Sequence, residues 1–372
     1  AYLTELQDSV PSAANLDYYF EIVRDQALLR RMIQTCTKAI ADAYDETGEV
    51  DRLVGEVEQA VLAINRDHNV VDMPKISEHV RDAVAKIELL FKNKGSTTGV
   101  ETGFTDLDKM TTGLHPGEMI VVAARPSMVR TSLAMNIVEH VALDAKLPVG
   151  VFSLEMSSES LVMRMISSLA RINSHDMQDG MLTPQDFPRI TDAAGRLANS
   201  SLHIDDSAGL SILQLTARAR RMWQQHGIKL FVIDYLQLLH STSRRAGENR
   251  QQEIAEISSG IKALAKTLGV PVIVLSQLNR ELEKDKNRKP RLSDLRESGS
   301  IEQDADLVGL LYKPGGVDED TDDPESDARP VNLLIAKQRN GPTGDVPLTF
   351  LKGYTRFENA AKFNREDKPQ DD

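Results

Sequence analysis

Apolar residues recur at helical spacing from residue 16 to about residue 44, where Tyr19, Ile22, Val23, Leu28, Leu29, Ile33, Ala39 and Ile40 mark one stripe. The stretch TGEVDRLVGEVEQAVLAI continues the same rhythm, so residues 1–72 predict a helical hairpin in an all-α domain. The chain opens inside an amphipathic pattern, which predicts that this domain is partial. MPKISEHVRDAVAKIELLFKNKGSTTGV follows, with Ile76, Val80, Val84, Ile87 and Leu90 on one stripe before a Lys-Gly-Ser-Thr coil. A one-sided stripe followed by coil predicts a linker helix over residues 73–98 that docks on a partner surface. After Gly99 the rhythm becomes strand, turn, helix. The runs EMIVVAA, PVGVFSL, SLHID, KLFVIDYLQLL, VPVIVLS, DLVGLLY and VNLLIA alternate with helical stretches. Such continuous apolar runs predict an α/β domain over residues 99–360 whose mostly parallel sheet is covered on both faces. Parallel sheets of this kind place a ligand at the carboxyl ends of their strands.

Composition narrows the class. With 372 residues and 41% hydrophobic content the chain has material for two or three domains. No apolar run reaches membrane-spanning length, and AYLTELQDSV has neither a basic head nor an apolar signal core; a cytoplasmic protein without membrane contact is expected. The single cysteine, Cys36, excludes an internal disulfide and a cysteine zinc site, and its helical neighbourhood predicts a core position. A net charge of −12 argues against a nucleic-acid partner until its distribution is considered. DEDTDDPESD at 318–327 carries seven acids and no base, and residues 361–372 form an acidic tail. KDKNRKPRLSDLR at 284–296 is locally basic.

The candidate chemistry lies at strand ends. Strand EMIVVAA runs into Ala124-Arg125-Pro126-Ser127-Met128-Val129-Arg130-Thr131-Ser132 and then the helix LAMNIVEH, the setting of a phosphate-binding loop. Such loops end in Gly-Lys-Ser/Thr because amides wrap the phosphates, the Lys reaches the terminal ones and the hydroxyl binds Mg²⁺. Here Val129-Arg130 stands in place of Gly-Lys, and by pattern alone an ordinary strand-to-helix turn is the better reading. The company of the loop reverses that preference. Glu155 in VFSLEMS stands where a carboxylate polarises an attacking water, or else is a helix N-terminal acid. Asp234 follows four apolar residues in LFVIDYLQLL, the place of a Mg²⁺ carboxylate, and a buried acid there needs a partner or a metal. Gln277 ends VPVIVLSQ as a sensor of the terminal phosphate or as a plain strand cap. Lys337 and Arg339 precede a Gly-Pro turn, suited to a trans-acting cation pair or to a solvated hairpin rim.

In order, GLHPGEMIVVAARPSM, FSLEMS, VIDYLQL, ENRQQEIAEIS, LSQLNR, LRESGSIEQDAD and IAKQRNGPTG closely resemble bacterial replicative helicases of the DnaB family. PSAANLDYYFEIVRDQALLRR resembles the later part of that family's N-terminal domain. The resemblance implies a RecA-like P-loop ATPase behind a linker helix, six subunits in a ring, and ATP with Mg²⁺ bound between neighbours. It implies that Ser127, Met128, Val129, Arg130, Thr131, Ser132 and Asp234 hold the nucleotide, with Thr131 and Asp234 on the metal. Glu155 would activate water, Gln277 would couple the γ-phosphate to DNA, and Lys337 and Arg339 would reach the ATP of the adjacent subunit. Arg250, Arg296, Glu297 and Gly299 would follow the backbone of single-stranded DNA in the pore. Such groups approach phosphates without reading base edges, so binding is sequence-neutral, and six copies around a channel concentrate positive potential that the net charge conceals. Primase and a helicase loader are the implied partners, and 5′-to-3′ translocation with duplex unwinding at the replication fork is the implied activity.

One departure stands out against the family pattern. A β-branched Val at the Gly position crowds the phosphate and stiffens the loop, and the planar guanidinium of Arg130 is no replacement for a compact ammonium. Weakened ATP use is the expectation, and a non-catalytic DNA-binding or assembly component of the ring is the second reading. A different RecA-like ATPase is a third, opposed by LRESGSIEQDAD.

Overall fold

The computed structural model describes residues 16–45, scattered positions between 50 and 88, and residues 97–125, 128–241, 250–278, 288–295, 299–314 and 327–361. Two compact units result, residues 1–92 and residues 93–372. In the first, α1 spans Leu16–Asp45, and helical backbone recurs at described positions from 50 to 64 and from 76 to 88. Many residues of the apolar stripes stand in solvent. Phe20, Val23, Ile33 and Ile40 on α1 are exposed, and so are Ile76, Val80, Val84 and Ile87. Cys36 is exposed as well, against the expected core position. Helical spacing marks an apolar face, but burial requires a second layer to cover it. No helix among the described residues is long and apolar enough to cross a membrane.

The second unit is built on a nine-stranded sheet in the order β3-β2-β4-β5-β1-β6-β7-β8-β9. The strands are β1 Met119–Ala124, β2 Val149–Ser153, β3 Leu202–Asp205, β4 Leu230–Asp234, β5 Val272–Gln277, β6 Leu307–Tyr312, β7 Ala328–Gln338, β8 Gly344–Leu351 and β9 Arg356–Asn359. β1 to β6 pair in parallel. β1, β2 and β4 are buried along their whole length, which is why their sequences are unbroken apolar runs rather than alternations. β7 departs from that set. It pairs antiparallel to β6, and β8 and β9 continue the antiparallel ladder. Burial alternates there: Val331, Leu333 and Ile335 on β7 and Val346, Leu348 and Phe350 on β8 point inward, giving a sheet half that is solvated on one side.

The helices are α2 Thr105–Thr111, α3 Arg130–Glu139, α4 Ser158–Ala170, α5 Ser174–Asp179, α6 Asp186–Ala198, α7 Ile212–His226, α8 Arg250–Leu268 and α9 Gly299–Asp304. α8 buries Ile254, Ile257, Ile261, Leu264, Ala265 and Leu268, a stripe at spacings of three and four. α7 begins with a reciprocal capping box between Ser211 and Gln214 and ends at the left-handed Gly227. Two apolar clusters fill the space: one includes α3 side chains such as Leu133 and Ile137, the other α7 and α8 side chains such as Leu215 and Ile257. Gly150 on β2 is obligatory, since a Cβ there would come within 2.5 Å of the Phe231 ring on β4.

This topology fixes two opposed edges. The carboxyl ends of β1, β2, β4 and β5 converge on one. The amino ends of β1 and β6 define the other, where Leu307 stands beside Ile120 on one side and Gln338 on the other.

Candidate active site

β1 ends at Ala124, and α3 starts at Arg130. The turn between them closes through Met128 N–H donating to Arg125 C=O at 3.2 Å, and the first turn of α3 through Ser132 N–H donating to Val129 C=O at 3.0 Å. Val129 caps α3 in the left-handed region, at φ 45° and ψ 34°. That conformation is open to glycine and costly for a β-branched residue, so the position at which a phosphate loop uses glycine is held here by the least suitable class of side chain. Met128 and Val129 also pack against the core. Ser127 lies outside the described residues, and Ser132 is buried in the first turn of α3.

Thr131 and Asp234 meet across the sheet edge, with Thr131 Oγ1 donating to Asp234 Oδ2 at 2.8 Å. Asp234 is 3% exposed, and its Oδ1 is buried with no hydrogen-bond partner. Burial raises its pKa above the usual carboxylate value, opposed by the Thr131 hydrogen bond and the Arg130 charge. An unsatisfied buried carboxylate oxygen beside a threonine hydroxyl is a hard oxygen donor set of the kind Mg²⁺ takes. The metal half of the site therefore fits its implied occupant, while the phosphate cradle is altered at Val129 and Arg130. Arg130 turns aside from the loop: its guanidinium lies 4.6 Å from the Tyr235 ring centroid and its Nη2 is 3.4 Å from Glu155 Oε2. Glu155, half exposed, is thus engaged by the cation that stands in the lysine position.

Gln277 ends β5 in register with Ala124. Next to it, Ser276 Oγ accepts from Gln237 Nε2 at 2.9 Å, and the Gln237 carbonyl accepts from Arg250 Nη2 at 2.6 Å. Arg250 also pairs with Glu253. The structure thereby joins a proposed DNA residue to the β4 and β5 ends through Gln237, which sequence reasoning did not single out; a glutamine inside LFVIDYLQLL carries no spacing signal. Tyr235 was missed in the same way.

Lys337 and Arg339 lie elsewhere. Lys337 is paired with Val308 near the start of β6, so the two cations stand at the amino edge, opposite the edge where Thr131 and Asp234 meet. Lys337 Nζ donates to Glu302 C=O at 2.5 Å, and Arg339 Nη2 donates to Gln303 C=O at 2.6 Å. Burial, then the neighbouring Arg339, lowers the Lys337 pKa. Gly299 opens α9 and is exposed; Arg296 and Glu297 lie outside the described residues.

Comparison with known proteins decides the family. The DnaB-like helicase C-terminal domain matches residues 99–359. The chain belongs to this family. It is 43% identical over 359 residues to the replicative DNA helicase DnaB of Geobacillus stearothermophilus, covering 96% of this chain and 78% of that one. The replicative DNA helicase DnaC of Bacillus subtilis matches over the same shares, also at 43% identity. Among solved structures, a DnaB-like replicative helicase described with its interactions with primase aligns with a TM-score of 0.76 at 32% identity, over 97% of this chain and 83% of that chain. The α/β, mostly parallel, RecA-like architecture expected from the strand runs is the one observed, with β7 to β9 as its antiparallel extension.

Proposed function

We infer that the chain works as an ATP-dependent replicative DNA helicase; its relatives carry the name replicative DNA helicase, and residues 99–359 match the DnaB-like helicase C-terminal domain. The helicase relationship does not favour a role as an assembly component alone. The observation that carries the mechanism is the separation of parts across one sheet. Thr131 and the buried Asp234 stand at the carboxyl edge, and Lys337 and Arg339 at the amino edge. This separation supports the reading in which a second subunit supplies the cations to complete each site.

We propose a homo-hexameric ring that binds ATP between neighbours and translocates 5′-to-3′ on single-stranded DNA at the replication fork. Residues 1–72 are a helical domain, 73–98 the linker helix and coil, 99–360 the motor and 361–372 an acidic tail. Ser127, Met128, Val129, Arg130, Thr131, Ser132 and Asp234 form the nucleotide site, with Thr131 and Asp234 as the Mg²⁺ ligands. When bound, the metal supplies charge neutralisation for the phosphates. Glu155 orients and deprotonates water, Gln277 senses the terminal phosphate, and Lys337 and Arg339 stabilise developing charge in the neighbouring site. Arg250, Arg296, Glu297 and Gly299 follow the DNA backbone. The primase contact named for the structural relative and a helicase loader are the proposed partners, and the cytoplasm the proposed compartment.

The test combines native mass measurement with ATP turnover at increasing single-stranded DNA, for the chain and for Asp234→Asn. A six-subunit particle whose Mg²⁺-dependent turnover rises with DNA and vanishes in Asp234→Asn is expected. Turnover that ignores DNA, or that survives Asp234→Asn, overturns the assignment.

A further inference from the structure

Asp306, immediately before β6, is 7% exposed and gathers four donors from three residues that are far apart along the chain. Its Oδ2 accepts from Met119 N–H at 2.8 Å and forms an ion pair with Lys262 of α8. Its backbone carbonyl accepts from Arg339 N–H at 2.9 Å. Its Oδ1 faces the Arg339 guanidinium, with Nη1 at 3.3 Å. Lys262 is itself fixed by donating to Gly117 C=O at 2.9 Å, so one carboxylate oxygen is locked to the core and the other aims at Arg339. The remaining bond of Arg339, and both bonds of Lys337, run to the last carbonyls of α9, groups a helix leaves unsatisfied by itself.

We propose that Asp306, braced by Lys262, is a positioning residue that aims Arg339 at the neighbouring subunit's ATP, with the α9 carbonyls as the resting position of the two cations. This rests on the trans reading of Lys337 and Arg339. The Arg339 side chain is 46% exposed, and a long side chain with free rotamers is aligned for catalysis only a fraction of the time. A fixed, buried carboxylate narrows that distribution at a bond length weak enough to allow the guanidinium to move onto phosphate. The same cations satisfy the far end of the helix that opens at Gly299, beside the proposed DNA loop. Their departure toward the neighbour's nucleotide leaves those carbonyls uncapped, which links the state of one subunit's ATP to the helix carrying another's DNA contacts.

Subunit mixing tests this, carried out on full chains bearing Val129→Gly and Arg130→Lys so that turnover is readily measured. Asp306→Asn alone is expected to lower kcat at least tenfold while the ATP KM shifts far less. Mixing it with Asp234→Asn subunits, which keep Arg339 but lack the metal carboxylate, gives about one competent interface in four in a closed ring. Turnover well above the sum of the two separate preparations is then expected. A parallel mixture of Arg339→Ala with Asp234→Asn checks the underlying reading. Recovery with Arg339→Ala but none with Asp306→Asn overturns the positioning role and leaves the trans reading standing. No recovery in either mixture overturns both. Should Asp306→Asn subunits fail to assemble, the Asp306→Asn/Lys262→Met pair, which removes the stranded ammonium too, takes their place in the same mixtures.

Discussion

Replacing Val129 with glycine should make the protein both more stable and better at holding nucleotide. Val129 occupies φ 45°, ψ 34° at the start of α3, and the left-handed region costs an L-residue roughly 1–2 kcal/mol, with β-branched side chains at the upper end. Glycine takes up that conformation freely but loses more freedom on folding, which returns roughly 0.5–1 kcal/mol. With strain of about 2 kcal/mol, and with the partly buried Val129 side chain giving up some packing on the core, the expected net gain is about 0.5–1 kcal/mol. At about 2–4 °C per kcal/mol for a domain near this size, Tm should rise by about 1–4 °C. Val129→Ala, which removes the branch and keeps the Cβ, should recover less. Scanning calorimetry without nucleotide reads the strain alone. Titration with ADP and Mg²⁺ reads the second effect, since Arg130→Lys added to Val129→Gly also removes the guanidinium that engages Glu155 and Tyr235. Nucleotide affinity should rise at least tenfold in the double variant, equivalent to about 1.4 kcal/mol. A Val129→Gly protein that melts lower than its parent refutes the strain argument, and equal affinity in the Gly-Lys form refutes the claim that this pair limits ATP use.

Glu139, buried between Asn136, Ser168 and Arg356, has its carboxyl pushed up to about 7 by burial, with Arg356 and the two hydrogen bonds opposing. The folded state keeps the proton that the unfolded chain releases near pH 4.5, so this group's contribution is full below that pH and falls as pH rises to about 7. The loss is on the order of 3 kcal/mol across the window, and Glu139→Gln should flatten that part of the stability profile in denaturant melts taken between pH 4.5 and 8; an unchanged slope contradicts it. Gly150→Ala should destabilise the motor unit by about 1–3 kcal/mol through overpacking against Phe231, checked by the midpoint of chemical denaturation. Glu155→Gln should keep nucleotide binding while cutting turnover by roughly 10²–10⁴-fold, and turnover within twofold of the parent removes Glu155 from the role of base.

Much of the parallel half was legible in the sequence because burial on both faces forces unbroken apolar runs such as MIVVAA and LFVID, each closed by the turn or polar residue that serves the site. Asp234 could be found for the same reason: an acid after four apolar residues has few places to be. β8 and β9 carry no strand signal of their own, since DVPLTF and RFEN alternate over short lengths and are fixed as strands by pairing with β7 and β8. Cys36 failed as a core position because spacing records which residues share a face and not what covers it. The contrast between the two edges was equally hidden. Lys337 and Arg339 sit at the end of a strand as Gln277 does, and only the reversal of β7 sends them to the opposite edge of the sheet. Asp306 needed the fold, since its partners Lys262, Met119 and Arg339 are far apart along the chain.

That reversal of β7 has an implication for the enzyme as a population of molecules. Because sheet pairing fixes Lys337 beside the start of β6, no local loop movement brings a subunit's own Lys337 and Arg339 to its own Asp234. On the trans role proposed for Lys337 and Arg339, hydrolysis becomes a report of assembly: a diluted, dissociated pool is expected to stay silent even when saturated with ATP, with fuel consumption beginning only where subunits have closed on one another.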